Sequence, residues 1–416
     1  MSAVPPPWID PGVRLIEADT HLGWPDIAAA ADALEATFRR ESGMATVGIA
    51  TVEGDRASTV AAALIAAERA NVPLFLKRHG PNPGAPVAED ATPAMPGFAV
   101  LLETSGTTGA PKRARHGFDR LRGRLRGAPD PDARWLLTFE PASFAGLQVI
   151  LTALASGGTL VSVPGGGAAE LAQAALRHAV THVSATPSFW RAFLMALGNA
   201  GPPLASVTLG GEAVDQPLLD RLAARFPGAK LRHIYASTEA GALFAVTDGR
   251  AGFPASWLET GVDGVALRLC DGVLEVRSPR AMTGYAGPGG GAPDADGWLS
   301  TGDVVEVRGD RALFAGRLDG RVNVGGVKVS PEAVEQRLLG VPDVQDALVR
   351  AAANPITGHI LTATVVPAPG VTEADVRAAV REAIADLPPA ARPRVITLAD
   401  HIPLGSAGKK TREGAA

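Results

Sequence analysis

The sequence predicts an α/β protein. A large N-terminal domain of layered α/β subdomains, with a small β-rich portion at its end, precedes a smaller α+β C-terminal domain. Three observations lead there. Short apolar strands alternate with helical stretches from residue 45 to residue 235, the βαβ signature of a mostly parallel sheet. From Gly264 the pattern changes to short alternating strands. After Gly316 it changes again, to strands mixed with two helices over about 100 residues, an ordinary domain size. The chain has 416 residues, which at about 150 per domain allows two or three domains.

Residues Ile27 to Phe38 carry apolar positions at helical spacing. Ala45–Thr51 reads as a buried strand, Thr59–Ala70 as an alanine-rich helix and Val72–Leu76 as the next strand. Pro81 to Pro96 is rich in proline, glycine and alanine and reads as loop. A strand at Phe98–Leu102 leads into a Ser/Thr/Gly loop. Helices follow at Leu147–Ala155, Ala168–His178, Ser188–Leu197 and Leu218–Phe226. Strands between and after them fall at Thr159–Val163, His182–Ala185, Ser206–Leu209 and Leu231–Tyr235. The uncharged run from Pro141 to Ala169 is long enough for a membrane span. Gly157-Gly158 and Gly165-Gly166-Gly167 interrupt it, so it reads as a buried helix, a turn and a buried strand.

The β-rich portion has strands at Val265–Leu269, Val273–Arg277, Val304–Arg308 and Arg311–Ala315, with a Gly/Pro/Asp loop, expected to be mobile, from Pro288 to Asp296. Beyond it, Arg321–Val324 and Val327–Val329 flank Gly325-Gly326, a hairpin signal. Ser330-Pro331 offers an N-cap followed by proline at the first helical position, opening a helix to about Leu339. Val344–Ala351, Ile360–Val366 and Val395–Leu398 read as strands. Thr372–Leu387 is amphipathic, with Val376, Val380, Ile384 and Leu387 on one stripe and Thr372 and Asp375 placed as a capping box.

Apolar residues make up 46% and charged residues 20%, which excludes a wholly disordered chain. A formal net charge of −4 gives no basic face for general nucleic-acid binding, so no nucleic-acid partner is expected. The opening MSAVPPPWIDPG lacks a basic start followed by an apolar run, so a secretory signal is not expected, and no membrane partner is expected. One cysteine, Cys270, allows no internal disulfide, which fits a reducing cytoplasm. It falls in a predicted strand and is expected to pack in the core. The six lysines include Lys112, Lys328, Lys409 and Lys410, all in motif-like segments.

The segment with the most chemistry is Thr104-Ser105-Gly106-Thr107-Thr108-Gly109-Ala110-Pro111-Lys112. Its glycines let backbone N–H groups approach an anion, and its hydroxyls and ammonium add donors. No Gly-x-x-x-x-Gly-Lys-[Ser/Thr] string is present, so it is not a Walker P-loop. His116, His178, His182 and His233 have no metal-ligand spacing and read as packing or surface residues.

The nine-residue string resembles the phosphate loop of the adenylate-forming superfamily, which includes acyl- and aryl-CoA synthetases and peptide-synthetase adenylation domains. Further segments resemble that family's motifs in the family's order. These are Gly210-Gly211-Glu212, Tyr235-Ala236-Ser237-Thr238-Glu239, Thr301-Gly302-Asp303, Gly316-Arg317-Leu318-Asp319 and Gly408-Lys409 with Arg412 three residues on. The resemblance spans most of the chain. It implies an adenylation domain over residues 1–315, a hinge over 316–320 centred on Asp319, and a mobile C-terminal lid over 321–416.

The same resemblance implies roles. Thr104 to Gly109 and Lys112 hold the β- and γ-phosphates of ATP. Gly210, Gly211 and Glu212 border the adenine. Tyr235 stacks on it, with Ala236 in place of the usual glycine. Thr238 meets the α-phosphate, and Glu239 holds Mg²⁺. Asp303 accepts the ribose hydroxyls with Arg317 beside it, and Lys409 bridges the α-phosphate and the substrate carboxylate. Lys410 reads as its solvated neighbour. Phe139, Ser143, Phe144 and Ser184 border the carboxylic acid. Trp135 to Gln148 resembles the matching stretch of compact o-succinylbenzoate–CoA synthetases, which carry histidine where Ala142 and Ser143 stand, so that acid is not implied. The acceptor is a thiol, coenzyme A or the phosphopantetheine of an acyl carrier protein. Transfer to an amine, or a non-catalytic nucleotide-binding role, are the alternatives. Gly325-Gly326 reads equally as a plain hairpin turn or as an approach to the thiol. The early phosphate loop implies a trimmed first subdomain.

Overall fold

In the helix Ala57–Ala70, Ala57 and every residue from Val60 to Ala67 are buried. A helix with so little polar surface must be covered on most sides. With Phe144–Ser156 it lies between two sheets. The shared core takes Val52, Leu74, Leu76, Val100 and Leu102 from one sheet and Leu15, Leu137 and Leu160 from the other. The computed structural model describes residues 4–42, 49–79, 98–104, 112–123, 129–286, 293–405 and 408–411.

The larger sheet has eight strands in the order Gly241–Val246, Lys230–Ser237, Ser206–Gly210, His182–Ala185, Arg134–Leu137, Thr159–Ser162, Arg14–Glu17 and Thr20–Gly23. Its inner neighbours pair in parallel, while the two edge strands run antiparallel. The helices Pro187–Leu197 and Gln216–Arg225 cover its other face through Phe189, Trp190, Phe193, Leu218 and Leu222. The second sheet runs Gly284–Ala286, Arg113–Gly117, Ala99–Glu103, Leu74–Lys77, Ala50–Glu53. A third, antiparallel sheet is built from Phe253–Pro254, Arg311–Arg317, Leu299–Arg308, Val273–Arg277 and Ala266–Cys270.

The C-terminal region is an α+β unit. A long hairpin, Val344–Asn354 with Gly358–Pro367, is joined in parallel by Val395–Leu398. The helices Pro331–Leu339 and Glu373–Ala383 supply Val334, Leu338, Val376 and Val380 to its core. The predicted caps form: Ala333 N donates to Ser330 Oγ at 3.2 Å and Asp375 N to Thr372 Oγ1 at 3.2 Å. Val322–Val324 pairs with Val327–Val329 across Gly325-Gly326, both at positive φ.

Several boundaries differ from the sequence reading for local reasons. The helix expected from Leu147 starts at Phe144 because Ser143 caps it. The strand expected at Val72–Leu76 is Leu74–Lys77. Asn71 closes the preceding helix in the left-handed region, and Val72 N folds back onto Ala67 O. The strand expected at Ala45–Thr51 is Ala50–Glu53, with residues 43–48 outside those described. The loop Pro81–Pro96 and most of Pro288–Asp296 also lie outside them. Cys270 is exposed, not core. Its strand is the edge of the third sheet, and Cys270 sits at the strand end beside the Asp271-Gly272 turn. Among the described residues no helix is long and apolar enough to cross a membrane.

Candidate active site

The strands Ala99–Glu103 and Arg113–Gly117 are antiparallel neighbours, so the segment joining them must leave and return at one point. Thr104 N donates to Lys112 O at 2.8 Å and closes that point. Ser105, Gly106, Thr107, Thr108 and Gly109 lie outside the described residues. Lys112 Nζ stands 5.1 Å from the centre of the Tyr285 ring, and Tyr285 Oη donates to Glu239 Oε1 at 3.0 Å. Burial first, then the Glu239 charge, pushes the Tyr285 phenol above its ordinary value. Tyr285 went unremarked in the sequence. The signal available was scarcity, since the chain has two tyrosines, Tyr235 and Tyr285, and both lie here.

Thr238 and Glu239 occupy the connection between Lys230–Ser237 and Gly241–Val246. Three bonds hold it. Ala240 N donates to Ser237 Oγ at 2.9 Å, Met282 N donates to Glu239 O at 2.7 Å, and His116 Nε2 donates to Thr238 O at 2.7 Å. His116 is fully buried, and burial draws its pKa down to about 4, so the ring is neutral near pH 7. It packs as expected, but it also grips the backbone between two candidate site residues, which its spacing in the sequence gave no means to see.

Asp303 and Arg317 are direct cross-strand partners, and the ladder is irregular just past Asp303, after Gly302. Such a bulge re-aims a side chain. The Asp303 carboxylate takes the Tyr235 phenol on one oxygen and Arg317 Nη1, at 3.2 Å, on the other. Arg317 Nε also donates to Asp319 Oδ1 at 3.0 Å. The Tyr235 ring packs against Phe314, centroids 4.8 Å apart, and Phe244, 5.4 Å apart. Burial raises the Asp303 pKa. Tyr235, Arg317 and Lys409 act the other way without cancelling it. Burial and the Asp303 charge hold the Tyr235 phenol well above its usual value.

Gly210 ends a central strand of the large sheet, and Gly211 follows at φ +82°. Glu212 Oε2 accepts from Ser188 N at 3.0 Å, at the positive end of the Pro187–Leu197 helix. Against this corner lies the C-terminal tail. Thr186 Oγ1 donates to Gly408 O. A β-carbon on Gly211 would lie 3.6 Å from Lys409 Cε, and one on Gly408 3.6 Å from Phe189 Cβ. Lys409, from the C-terminal region, thus lies against Gly211 at the end of a central strand of the large sheet, close enough for its charge to act on Asp303. Arg412 lies outside the described residues. Lys410, expected to be solvated, is buried. Its ammonium meets Asp346 Oδ1 at 2.7 Å and Glu335 Oε1 at 3.2 Å, and those carboxylates replace its water.

Of the residues expected near the acid, Phe144 is buried with its ring 6.0 Å from that of His116. Phe139 and Ala236 pack against the core beside it. Ser143 Oγ is committed to its helix, accepting from Gly146 N at 3.0 Å and donating to Glu140 O at 2.7 Å. Ser184 O accepts from Thr138 Oγ1 at 2.6 Å, tying its strand to the next. A small cavity beside Phe144 is lined by Leu121, Gln148, Gly241, Ala242 and Arg280.

The carboxylate of Glu239 suits a hard cation that takes its other oxygens from phosphate and water. Among the described residues no group of three or more His, Cys, Asp or Glu is placed to hold a metal by itself.

Comparison with known proteins places the chain by family and by fold. A model of the AMP-binding enzyme family matches residues 31–286, and one of the AMP-binding enzyme C-terminal domain matches residues 333–409. Phosphinothricin tripeptide synthetase PhsB of Streptomyces viridochromogenes is 29% identical over 370 residues, covering 80% of this chain; the chain spans 31% of that protein's length. Two solved structures share the fold. An arginine-to-lysine variant of E. coli MenE with bound OSB-AMS superposes with a TM-score of 0.70 at 19% identity, over 93% of this chain and 91% of the other. The amide bond synthetase McbA of Marinactinospora thermotolerans superposes with a TM-score of 0.67 at 21% identity, over 96% and 95%.

Proposed function

Because the chain belongs to the AMP-binding enzyme family, we propose that it activates a carboxylic acid with ATP and passes the acyl group to a thiol. The observation that carries the proposal is the position of Lys409. A cation from the C-terminal region lies against Gly211, with its neighbour Gly408 held by Thr186, and its charge reaches Asp303.

In this reading Thr104, Lys112 and the intervening segment bind the phosphates. The face of Tyr235 meets the adenine, with Gly210, Gly211 and Glu212 at its border, and Asp303 with Arg317 takes the ribose. Thr238 donates to the α-phosphate, and Glu239 holds Mg²⁺, which neutralises phosphate charge when bound. A carboxylate oxygen of the acid attacks the α-phosphorus, the bond to the bridging oxygen breaks, and diphosphate leaves with the electron pair. Lys409 offsets the repulsion between the two anions as they close. A fixed cation aimed at developing charge is an effective form of catalysis.

The lid then turns about residues 316–320, centred on Asp319, withdraws Lys409 and admits the acceptor. Coenzyme A or a carrier-protein phosphopantetheine is the proposed donor of the thiol, and Gly325-Gly326 is a turn that can approach it. The protein acts in the cytoplasm. The likeness of fold to McbA keeps an amine in view as the alternative acceptor.

The test is diphosphate release from ATP with a panel of aryl and medium-chain acids. Mass analysis of the product then follows with coenzyme A, a holo-carrier protein or an amine. A thioester supports the reading, an amide formed without thiol replaces its second half, and no diphosphate with any acid ends it.

A further inference from the structure

Lys409 stands on a short loop whose base is a bridge between Leu404 and Lys410, with Gly405 N donating to Lys409 O at 2.8 Å. Below that base lies a group of buried charges that no step of the reaction uses. Lys410 Nζ meets Asp346 Oδ1 at 2.7 Å, Glu335 Oε1 at 3.2 Å and Ala347 O at 2.6 Å. Arg191, on the large lobe's Pro187–Leu197 helix, meets Asp215 Oδ2 at 2.6 Å and holds Nε 3.6 Å from the same Asp346 oxygen. All five side chains are 4–6% exposed.

The group has two halves. In the lid, Lys410 is outnumbered by Glu335 and Asp346. In the large lobe, Asp215 is paired with Arg191. Counting formal charges, a half with one surplus negative charge faces the guanidinium of a balanced pair. Each half is also satisfied without the other. Asp215 Oδ1 caps the Gln216–Arg225 helix through Leu218 N, Asp346 Oδ1 takes Ala347 N, and Glu335 Oε2 takes Val349 N. Within this group the ion pair that crosses between lobes is Arg191–Asp346, with Arg191 also acting on Lys410 as a like charge; beside the group, Thr186 Oγ1 donates across to Gly408 O. A buried ion pair is costly to leave half-made, but of the group's ion pairs separation breaks the 3.6 Å one and leaves Asp215 with Arg191 and Lys410 with its two carboxylates. Complementary charge of this kind steers docking and fixes register.

We propose that Arg191, Asp346 and Lys410 are positioning residues that seat the Lys409 loop against the large lobe for adenylation and release it when the lid turns. This rests on the role given to Lys409. The experiment uses the full chain with Cys270→Ser, which removes its one exposed thiol. Spin labels are placed on cysteines at Ala224 and Ala374, two exposed helical positions, one in each lobe. Distance distributions with ATP and Mg²⁺ are read alongside acid-dependent ATP–diphosphate exchange, using benzoate, 2-succinylbenzoate and octanoate as probes.

Lys410→Met and Arg191→Gln should each cut the docked population about threefold and slow exchange about tenfold, with Lys410→Arg restoring most of both. Arg191→Lys keeps the charge with a shorter reach, and decides the matter should Arg191→Gln not fold. Lys409→Ala should slow exchange by about 10²–10³-fold and leave the distances unchanged. Folded variants with unaltered distances overturn the proposal. If the unsubstituted chain shows no exchange with any probe, the functional reading fails, and the distances still judge the docking.

Discussion

The phenol of Tyr235 donates to the carboxylate of Asp303, so the residue proposed to face the adenine and the residue proposed to hold the ribose are locked to each other before a nucleotide arrives. Arg317, at 3.2 Å on the other oxygen, and Asp319 beyond it extend the lock to the segment that leads into the lid. In the proposed function, nucleotide binding and lid position therefore share side chains.

Asp303→Asn should raise the KM for ATP at least about tenfold with a smaller change in kcat, since an amide cannot accept from two hydroxyls as a carboxylate can. Tyr235→Phe keeps the ring and loses one donor, and should raise KM less. Steady-state kinetics of diphosphate release separate the two. Equal effects from both variants would place the ribose elsewhere.

Lys409→Ala should lower adenylation by about 10²–10³-fold, the usual cost of one lost donor at developing charge. ATP affinity, measured by equilibrium dialysis, should be nearly unchanged because Thr104 and Lys112 are untouched. Unaltered exchange would remove Lys409 from the mechanism.

Asp319→Pro fixes one backbone torsion at the proposed pivot and removes the partner of Arg317 Nε. Thioester formation from a supplied acyl-adenylate should slow more than adenylation does. A stopped-flow comparison showing equal slowing would move the pivot away from this residue.

His116 sets a pH dependence of stability. Its folded pKa of about 4 lies below the 6.5 of an exposed ring. As pH falls below 6.5 the unfolded chain takes up a proton that the folded chain refuses until about pH 4. Stability is therefore full above the unfolded value and lost across that window, by up to about 3 kcal/mol. Urea unfolding from pH 7 to pH 4 should show the loss. His116→Gln keeps a donor for Thr238 O without titrating, and should remove that part of the slope.

Much of the fold was legible because its interior obeys simple periodicity. The alanine-rich helix after residue 57, the strands Thr159–Ser162 and Ser206–Gly210, and the capped helix after Ser330 bury continuous apolar stretches or stripes. The strand Arg113–Gly117 was not legible. Three of its five residues are arginine or histidine, and only pairing with Ala99–Glu103 turns Ala114 and His116 inward. A candidate site could be proposed from the sequence where one segment carries one chemistry, as at Thr238-Glu239 or Gly408-Lys409. Lys410 was misread because its partners lie at Glu335 and Asp346, far off in the chain, and nothing local distinguishes a buried ammonium from a solvated one. Arg191 and Tyr285 escaped for the same reason: their importance lies in what the fold brings to them.

The scarcity of phenol side chains has a practical consequence. With 3-fluorotyrosine incorporated throughout, the protein would give a fluorine spectrum of two resonances, from positions 235 and 285. One ring abuts the carboxylate that pairs with Arg317, and the other donates to Glu239 and lies beneath Lys112. Without further labelling, and with the nucleotide placed as proposed, that spectrum would follow the two ends of a bound nucleoside triphosphate separately through a turnover.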